Sequence, residues 1–480
     1  MPVLAEKKHL SSAESALERL QQFIEAQRAT REPSEDFERF ERELHAYIVA
    51  VECEVLGEAL ARWDMDLPVL EIAGVNYRRV LRCEKSYLSA AGPLRVERSL
   101  YGTGVSGEVG LCPLELRAGI VEGYWTPRAA RQAIRTVVQM PAGEAEAHFA
   151  ELANMQPSRS SLERLPKALQ RRWEANRERF EAQLRSQWEV PAQAATVAVS
   201  LDGVMVPMRD GKREEKRAQS VAAGKHARGP AGHQEVGCAT LSFYDTEGER
   251  LSTLRLARMP EAHKATLKAM LTAELAAAQA QRPLLQVVKL ADGAKDNWTY
   301  LTKTLLGGTE VVDFYHAAEH LKVAFDQVYG ASSSAAATQF AKYRHLLRHD
   351  ADGVEKVIRT LAYHHKRYPR RKKLLTELQY FRRHRHRMRY AQVAEQKLPI
   401  GSGVVEAACK TLVTQRMKGA GMRWRQQGGQ AILTWRALLQ SQRFAPAWEL
   451  VAQTYKKAVT LPEKVIAFAT PVQRNKQSEI

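Results

Sequence analysis

Three acidic residues carry the chemistry this sequence offers. Asp202 ends the run Ser200-Leu201-Asp202 and precedes Gly203, Asp292 stands in Ala291-Asp292-Gly293, and Glu406 lies in Gly401-Ser402-Gly403-Val404-Val405-Glu406. Carboxylate oxygens are the hard ligands that Mg2+ takes, with Mn2+ as a substitute. Three of them converging could hold two such ions about 4 Å apart, one activating an attacking oxygen and one stabilising the leaving oxygen of a phosphodiester. Singly, each acid has a plainer use. An Asp-Gly after a strand commonly makes a turn, and Glu406 could pair with Lys410 four residues along a helix face. The trio matters only if the fold joins residues far apart in the chain.

The elements around the acids are of the kind that could join them. Thr196, Ala198, Ser200 and Asp202 alternate with Val197, Val199 and Leu201, as a strand requires. Strands over residues 234–244 and 250–257 follow, separated by the turn Asp245-Thr246-Glu247-Gly248, and the three read as an antiparallel meander. Pro260 opens an alanine-rich helix to about Gln281, and the apolar run Leu284 to Leu290 reads as a buried parallel strand. A short helix from Asn297 to Leu305 and a strand with Val311 and Val312 complete the order β-β-β-α-β-α-β. That order predicts an α/β ribonuclease H-like core, whose first and fourth strands lie side by side and would bring Asp202 to Asp292. Glu406 opens an amphipathic helix to about Met417, after a helical insertion over residues 317–396.

Charge points to the partner. The 480 residues hold 72 Lys and Arg against 54 Asp and Glu, a net +18, which attracts polyanions. Residues 366–389 contain eleven of these cations (Lys366, Arg367, Arg370, Arg371, Lys372, Lys373, Arg382, Arg383, Arg385, Arg387, Arg389) and one acid, Glu377. They could neutralise phosphates, and the interleaved Tyr368, Tyr380 and Phe381 could stack on unpaired bases. Arg416, Lys418, Arg423 and Arg425 follow the Glu406 helix as a second basic group, with Trp424, Trp435 and Arg436 either lining a DNA channel or, for the tryptophans, belonging to the core. Residues 209–233, basic and rich in glycine and alanine, read as a mobile loop beside Asp202 that could close over DNA.

The N-terminal part is built differently. Leu17, Leu20, Phe23 and Ile24, then residues 37–60, show helical periodicity. Residues 75–112 read as a small β-ribbon with turns at Gly92-Pro93 and Gly102-Thr103-Gly104. Thr126-Pro127 starts a helix, another runs from Gly143 to Ala153, and a tight turn leads to a helix capped by Ser158 and ending at Leu165. Such a pair suits a helix-turn-helix with Arg159, Ser160 and Glu163 at base edges, although two helices joined by a turn occur in any helical domain. Residues 166–190 read as a linking helix. The five cysteines are odd in number and form no CxxC pair; Cys83 and Cys112 are two soft ligands where a structural zinc site needs four, so both read as small hydrophobes. No run of eighteen apolar residues or signal-peptide pattern is present, so the sequence predicts a chain of the reducing cytoplasm, without membrane contact.

One stretch suggests other chemistry. His316-Ala317-Ala318-Glu319-His320 matches H-x-x-E-H, in which two histidines four apart on a helix bind zinc and the glutamate is a base, as in a metalloprotease. That activity leaves the strand-end acids and the basic insertion unexplained. The plainer alternative makes Glu319 and His320 decoration on an exposed helix.

Five segments in order, SLDGVMVPM (200–208), ADGAKDNW (291–298), VDFYHAAEHL (312–321), LPIGSGVVEAACKTL (398–412) and RMKGAGMRW (416–424), resemble bacterial insertion-sequence transposases of the ISKra type, relatives of the Mutator-like DDE transposases. The resemblance covers most of residues 195–450, and residues 75–190 resemble the family's DNA-binding half more weakly. It implies that Asp202, Asp292 and Glu406 are the DDE residues and hold two Mg2+ ions. It implies too that Asp313 and His316 fill the family's Asp/Cys-x-x-His motif, with His316 near the scissile phosphate and Asp313 orienting neighbours. Cysteine pairs found in the ribbon of some relatives are missing here. The implied partners are double-stranded DNA, as transposon ends and target, and further copies of the chain in a dimer or larger assembly. The implied location is the bacterial nucleoid. A structure-selective nuclease and a domesticated DNA-binding regulator are the alternatives. The expected layout is an N-terminal helical region (1–70), β-ribbon (71–120), helix-turn-helix and linking helix (121–190), core (191–316), basic insertion (317–396), core (397–445) and C-terminal tail (446–480).

Overall fold

The computed structural model describes residues 15–29, 36–105, 110–209, 212–225 and 232–461. Two compact units form: one runs to Ala168 and includes the chain from Trp448, and the other is Leu169–Ala447.

In the first unit, helices Ala16–Ala29 and Phe37–Ala61 make a hairpin in which Phe23 meets Phe40 and Tyr47 at ring distances of 5.8 and 4.8 Å. Strands β1 (Val69–Ile72), β2 (Val75–Leu88) and β3 (Pro93–Gly102) form an antiparallel sheet in chain order. The four-residue β1 lies outside the stretch whose alternation predicts the ribbon. On β3, Leu94 and Val96 point inward between the exposed Arg95 and Glu97, and with Tyr87, Leu60 and Cys112 they build a small core. Cys83 is half-buried and Cys112 buried, both as free thiols. Helices Pro127–Val137 and Ala142–Glu151 follow, and helix Arg159–Ala175 begins in this unit.

The expected helix end at Leu165 is not there. Helix Arg159–Ala175 continues through Pro166. A mid-helix proline costs about 3 kcal/mol, but Leu162, Leu165, Leu169 and Trp173 are buried along this helix, and each such side chain contributes about 1.5–3 kcal/mol. Packing wins.

The second unit is built on a five-stranded mixed sheet of β4 (Thr196–Pro207), β5 (His233–Tyr244), β6 (Arg250–Arg258), β7 (Gln286–Ala291) and β8 (Thr309–Val312), ordered β6-β5-β4-β7-β8. β4–β5 and β5–β6 are antiparallel, while β4–β7 and β7–β8 are parallel. β4 is central and buried on both faces from Thr196 to Leu201, then becomes accessible at Asp202. Helix Ala265–Gln281 packs its Leu267, Leu271, Leu275 and Ala278 into the sheet core.

The insertion comprises helices Phe314–Tyr329, Ser334–His349, Gly353–Arg367, Lys372–His384 and Tyr390–Glu395. Its Leu321, Phe325, Leu374, Leu378 and Phe381 belong to the same hydrophobic cluster as Val288, Leu290 and Val312 of the sheet. The insertion therefore shares a core with the strands. In the segment expected to be a loop, residues Lys212–Ala222 form a helix, and 210–211 and 226–231 lie outside the described residues. The Glu406 helix is irregular: an α-turn, Gly403–Ala408, passes into a π-turn, Cys409–Thr414, and back to α at Gln415–Met417. Its Val405, Ala408, Leu412 and Val413 pack on Val206, Met208, Val236 and Cys238 of β4 and β5. Among the described residues, no helix is long and apolar enough to cross a membrane.

Candidate active site

The parallel register Thr196↔Gln286 to Ser200↔Leu290, continued by two residues, sets Asp202 opposite Asp292. The β4–β7 pairing ends at Ser200 and Leu290, just before the two acids, at the carboxyl end of β7, the edge on which open α/β sheets bind ligands. Asn297, buried at the start of helix Lys295–Lys303, stitches the strand ends together. Its Nδ2 donates to the Leu201 carbonyl and to Asp292 Oδ1, both at 3.3 Å. The Ala294 N–H donates to the same Oδ1 at 3.0 Å. Sequence reasoning misses Asn297, although its place five residues after the acid, in the first turn of the helix, is the available signal.

Asp202 is held from two sides. Its own neighbour Gly203 donates its N–H to Oδ1 at 2.7 Å, and the Cys409 thiol donates to Oδ2 at 3.5 Å. A Cβ at Gly203 would overlap the Glu235 side chain, which Lys264 holds at 3.0 Å, so glycine is what leaves that ion pair undisturbed. Burial pushes the Asp202 carboxyl above the ordinary carboxylate range, and the charge of Asp292 adds to this. Glu406 accepts from Ser402 Oγ at 3.3 Å. Burial raises its carboxyl as well, helped by the negative charges of Asp313, Asp202 and Glu319. The three acids are thus linked in pairs by charge: Asp202 feels Asp292, and Glu406 feels Asp202. They do not close on a common point: among the described residues, no group of three or more His, Cys, Asp or Glu is placed to hold a metal ion.

Asp313 is fully buried and works as a clamp. Its Oδ1 caps helix Phe314–Tyr329 by accepting the His316 N–H at 2.6 Å, and its Oδ2 accepts the Ser402 N–H. One carboxylate thereby fixes the start of that helix and the turn that presents Glu406. His316 is half-buried, its Nδ1 3.6 Å from the exposed Glu319.

His320 is not surface decoration. Its Nδ1–H donates to the buried Glu377 at 2.5 Å, and its ring stacks on Tyr380 at 3.7 Å. The H-x-x-E-H pattern thus ties one of its histidines to an acid on another helix instead of leaving it to a zinc ion. Burial pushes the neighbouring His384 down to about 4.

The basic residues divide into two groups. Lys366, Arg367, Arg370, Lys372, Lys373, Arg382, Arg383, Arg385 and Arg389 are exposed, as are Lys418, Arg423 and Arg425. Three others are engaged within the protein, against expectation. Arg371 donates to the carbonyls of Gln327 and Val328 and lies over the Tyr368 ring at 4.3 Å. Arg387 pairs with Glu310 at 2.8 Å, beside the buried Lys289, and lies over Trp298 at 3.9 Å. Arg416 is buried against Trp424. The aromatics differ from expectation for the same reason: Phe381 is fully buried and Tyr380 is packed against His320, so neither is open to a base. Trp435 is core, and Arg436 donates to the Thr411 carbonyl at 2.7 Å. Trp424 bridges in parallel to the chain just after β4, its N–H donating to Pro207 O at 3.0 Å and its carbonyl accepting from Arg209 N at 2.8 Å. In the other unit, Arg159 pairs with Glu163 at 3.0 Å on its own helix, and Ser160 is exposed beside it.

No family model and no curated protein matches the chain. Among solved structures it is similar to one described as the Drosophila P element transposase strand transfer complex, with 11% identity and a TM-score of 0.23 over 71% of this chain and 85% of that one. A superposition this loose supports no argument about fold or activity.

Proposed function

We propose that this chain is a DNA transposase with a ribonuclease H-like core and a DDE site of Asp202, Asp292 and Glu406. The observation that carries the proposal is the β4–β7 register, which sets Asp202 opposite Asp292 where the strands part, with the Glu406 helix packed across β4 and β5. The donor set fits Mg2+ or Mn2+ in kind: hard carboxylate oxygens only, with Asp202 and Glu406 raised first by burial and further by the charge of neighbouring acids. Bound there, divalent cations would supply charge stabilisation and activate the nucleophile. The chain's own part is to hold the acids: Asn297 anchors Asp292, Gly203 and Cys409 fix Asp202, and Asp313 sets the turn before Glu406. The exposed cations of residues 366–389 and 418–425 neutralise DNA phosphates.

In the reaction, water attacks a phosphorus at the element's end and the 3′-oxygen leaves. The freed 3′-hydroxyl then attacks a target phosphodiester and displaces its 3′-oxygen. The layout of helix Arg159–Ala175 after Ala142–Glu151 supports base reading by Arg159 and Ser160, and two ends held together call for at least two copies of the chain.

The test is incubation with DNA carrying the element's own ends and Mg2+, scoring nicking and joining separately. Asp202→Ala is expected to cut both by about a thousandfold or more, equivalent to ~4 kcal/mol of barrier, while end binding stays intact. Nicking without joining would favour a structure-selective nuclease. Loss of binding together with cleavage would assign Asp202 to folding.

A further inference from the structure

Tyr380 buries a hydroxyl with no hydrogen-bond partner among the described residues. Leaving such a donor unpaired costs about 1–3 kcal/mol, so the side chain must be held there by its surroundings. Those surroundings are specific. The ring stacks on His320, which Glu377 fixes one turn earlier on Tyr380's own helix, and it lies tilted against His384 at a ring distance of 5.0 Å. On another side lies Gly293, the residue directly after Asp292. A Cβ at position 293 would run into Tyr380 Cε2. Burial raises the phenol's affinity for its proton, and the charges of Asp292, Asp313 and Glu377 raise it further, so the hydroxyl is kept as a donor among acids. Asp292, for its part, has Oδ1 engaged by Ala294 and Asn297, while its Oδ2 makes no hydrogen bond among the described residues.

We propose that Tyr380 is a positioning residue for Asp292: its ring braces the Asp292–Gly293 turn from the insertion, and its hydroxyl donates to the Asp292 carboxylate once that carboxylate turns in to bind a divalent cation. The inference rests on the proposed role of Asp292 as a cation ligand. Carboxylate ligands are themselves held by hydrogen bonds, and removing such an outer partner typically weakens metal affinity 10–100-fold. Sequence alone hides the residue, since it lies 88 positions after the acid it would serve, inside a stretch dominated by positive charge.

The experiment is a Mn2+ titration of the full-length protein with duplex DNA, followed by electron paramagnetic resonance, with thermal midpoint and cation-free duplex binding as controls. Tyr380→Phe removes only the hydroxyl. It is expected to weaken Mn2+ binding about tenfold, with both controls at wild-type values, a combination that a merely structural role would not give. Gly293→Ala, which pushes the ring away, is expected to weaken binding in the same direction. Asp292→Asn is run in parallel. If it weakens Mn2+ binding while Tyr380→Phe and Gly293→Ala stay within twofold of wild type, the role of Tyr380 is overturned and that of Asp292 stands. If Asp292→Asn binds Mn2+ like wild type, the site itself has been misassigned and the inference goes with it.

Discussion

Replacing Asp313 with alanine removes the acceptor for two backbone N–H groups at once. One is the cap of helix Phe314–Tyr329, at His316, worth about 1 kcal/mol. The other is the Ser402 N–H, in a buried turn, where an orphaned donor costs about 1–3 kcal/mol. Together they amount to about 3 kcal/mol of local stability, or roughly a hundredfold in an opening equilibrium. Native-state hydrogen exchange resolves the two amides: those of His316 and Ser402 are expected to exchange about a hundredfold faster in Asp313→Ala, while amides in β5 keep their protection. Asp313→Asn keeps one acceptor oxygen and is expected to expose one of the two amides and spare the other. Cleavage is expected to fall in both variants with DNA binding retained, because the Ser402 turn carries Glu406. Wild-type exchange at both amides in Asp313→Ala would refute the clamp.

Glu181 has little exposure, lies 3.4 Å from Arg177, and is raised to about 7 by burial that outweighs the neighbouring arginines. A folded-state value above the unfolded 4.5 favours the neutral acid in the fold, so this contribution is complete below pH 4.5 and is lost as pH rises through 7, to a total of about 3 kcal/mol. The wild-type thermal midpoint should fall across that window relative to Glu181→Gln; parallel midpoints would contradict it. Replacing Lys372, Lys373, Arg382 and Arg383 with glutamine is expected to reduce the log–log salt slope of duplex binding by about 0.9 for each phosphate that is no longer neutralised. Arg371→Gln and Arg387→Gln should instead lower the thermal midpoint and leave the slope unchanged, which filter binding across a salt series will show.

The five-stranded order is legible because strand and helix periodicities alternate cleanly after residue 195, and because an apolar run such as Leu284 to Leu290 fits a strand covered on both faces. The turns at Asp313 and Ser402 sit in recognisable helix starts. What sequence cannot show depends on distant partners. Nothing in residues 366–389 distinguishes Arg387, which meets Glu310 on β8, from Arg383, which meets solvent. Likewise His320 looks like one more polar residue on a helix until Glu377 arrives from 57 positions away. Pro166 misleads because its local cost is visible in the sequence and the burial that offsets it is not, and β1 escapes notice because four residues are too short for alternation to register. The π-turn at Cys409–Thr414 leaves no trace in periodicity, since one extra residue in a helix shifts its phase only beyond that point.

That extra residue has a bearing on how this chain can change over evolutionary time. Each α-helical position turns about 100° about the axis, so the wide turn at Cys409–Thr414 acts as a phase adjuster between the half that presents Glu406 and the half that docks Met417 and Arg416. Deleting one residue here would relax the helix to ordinary α-geometry and rotate everything downstream out of alignment. Lineages descended from this protein should accept insertions and deletions in the surface turns between the insertion helices, yet hold constant the number of residues from Glu406 to Trp424.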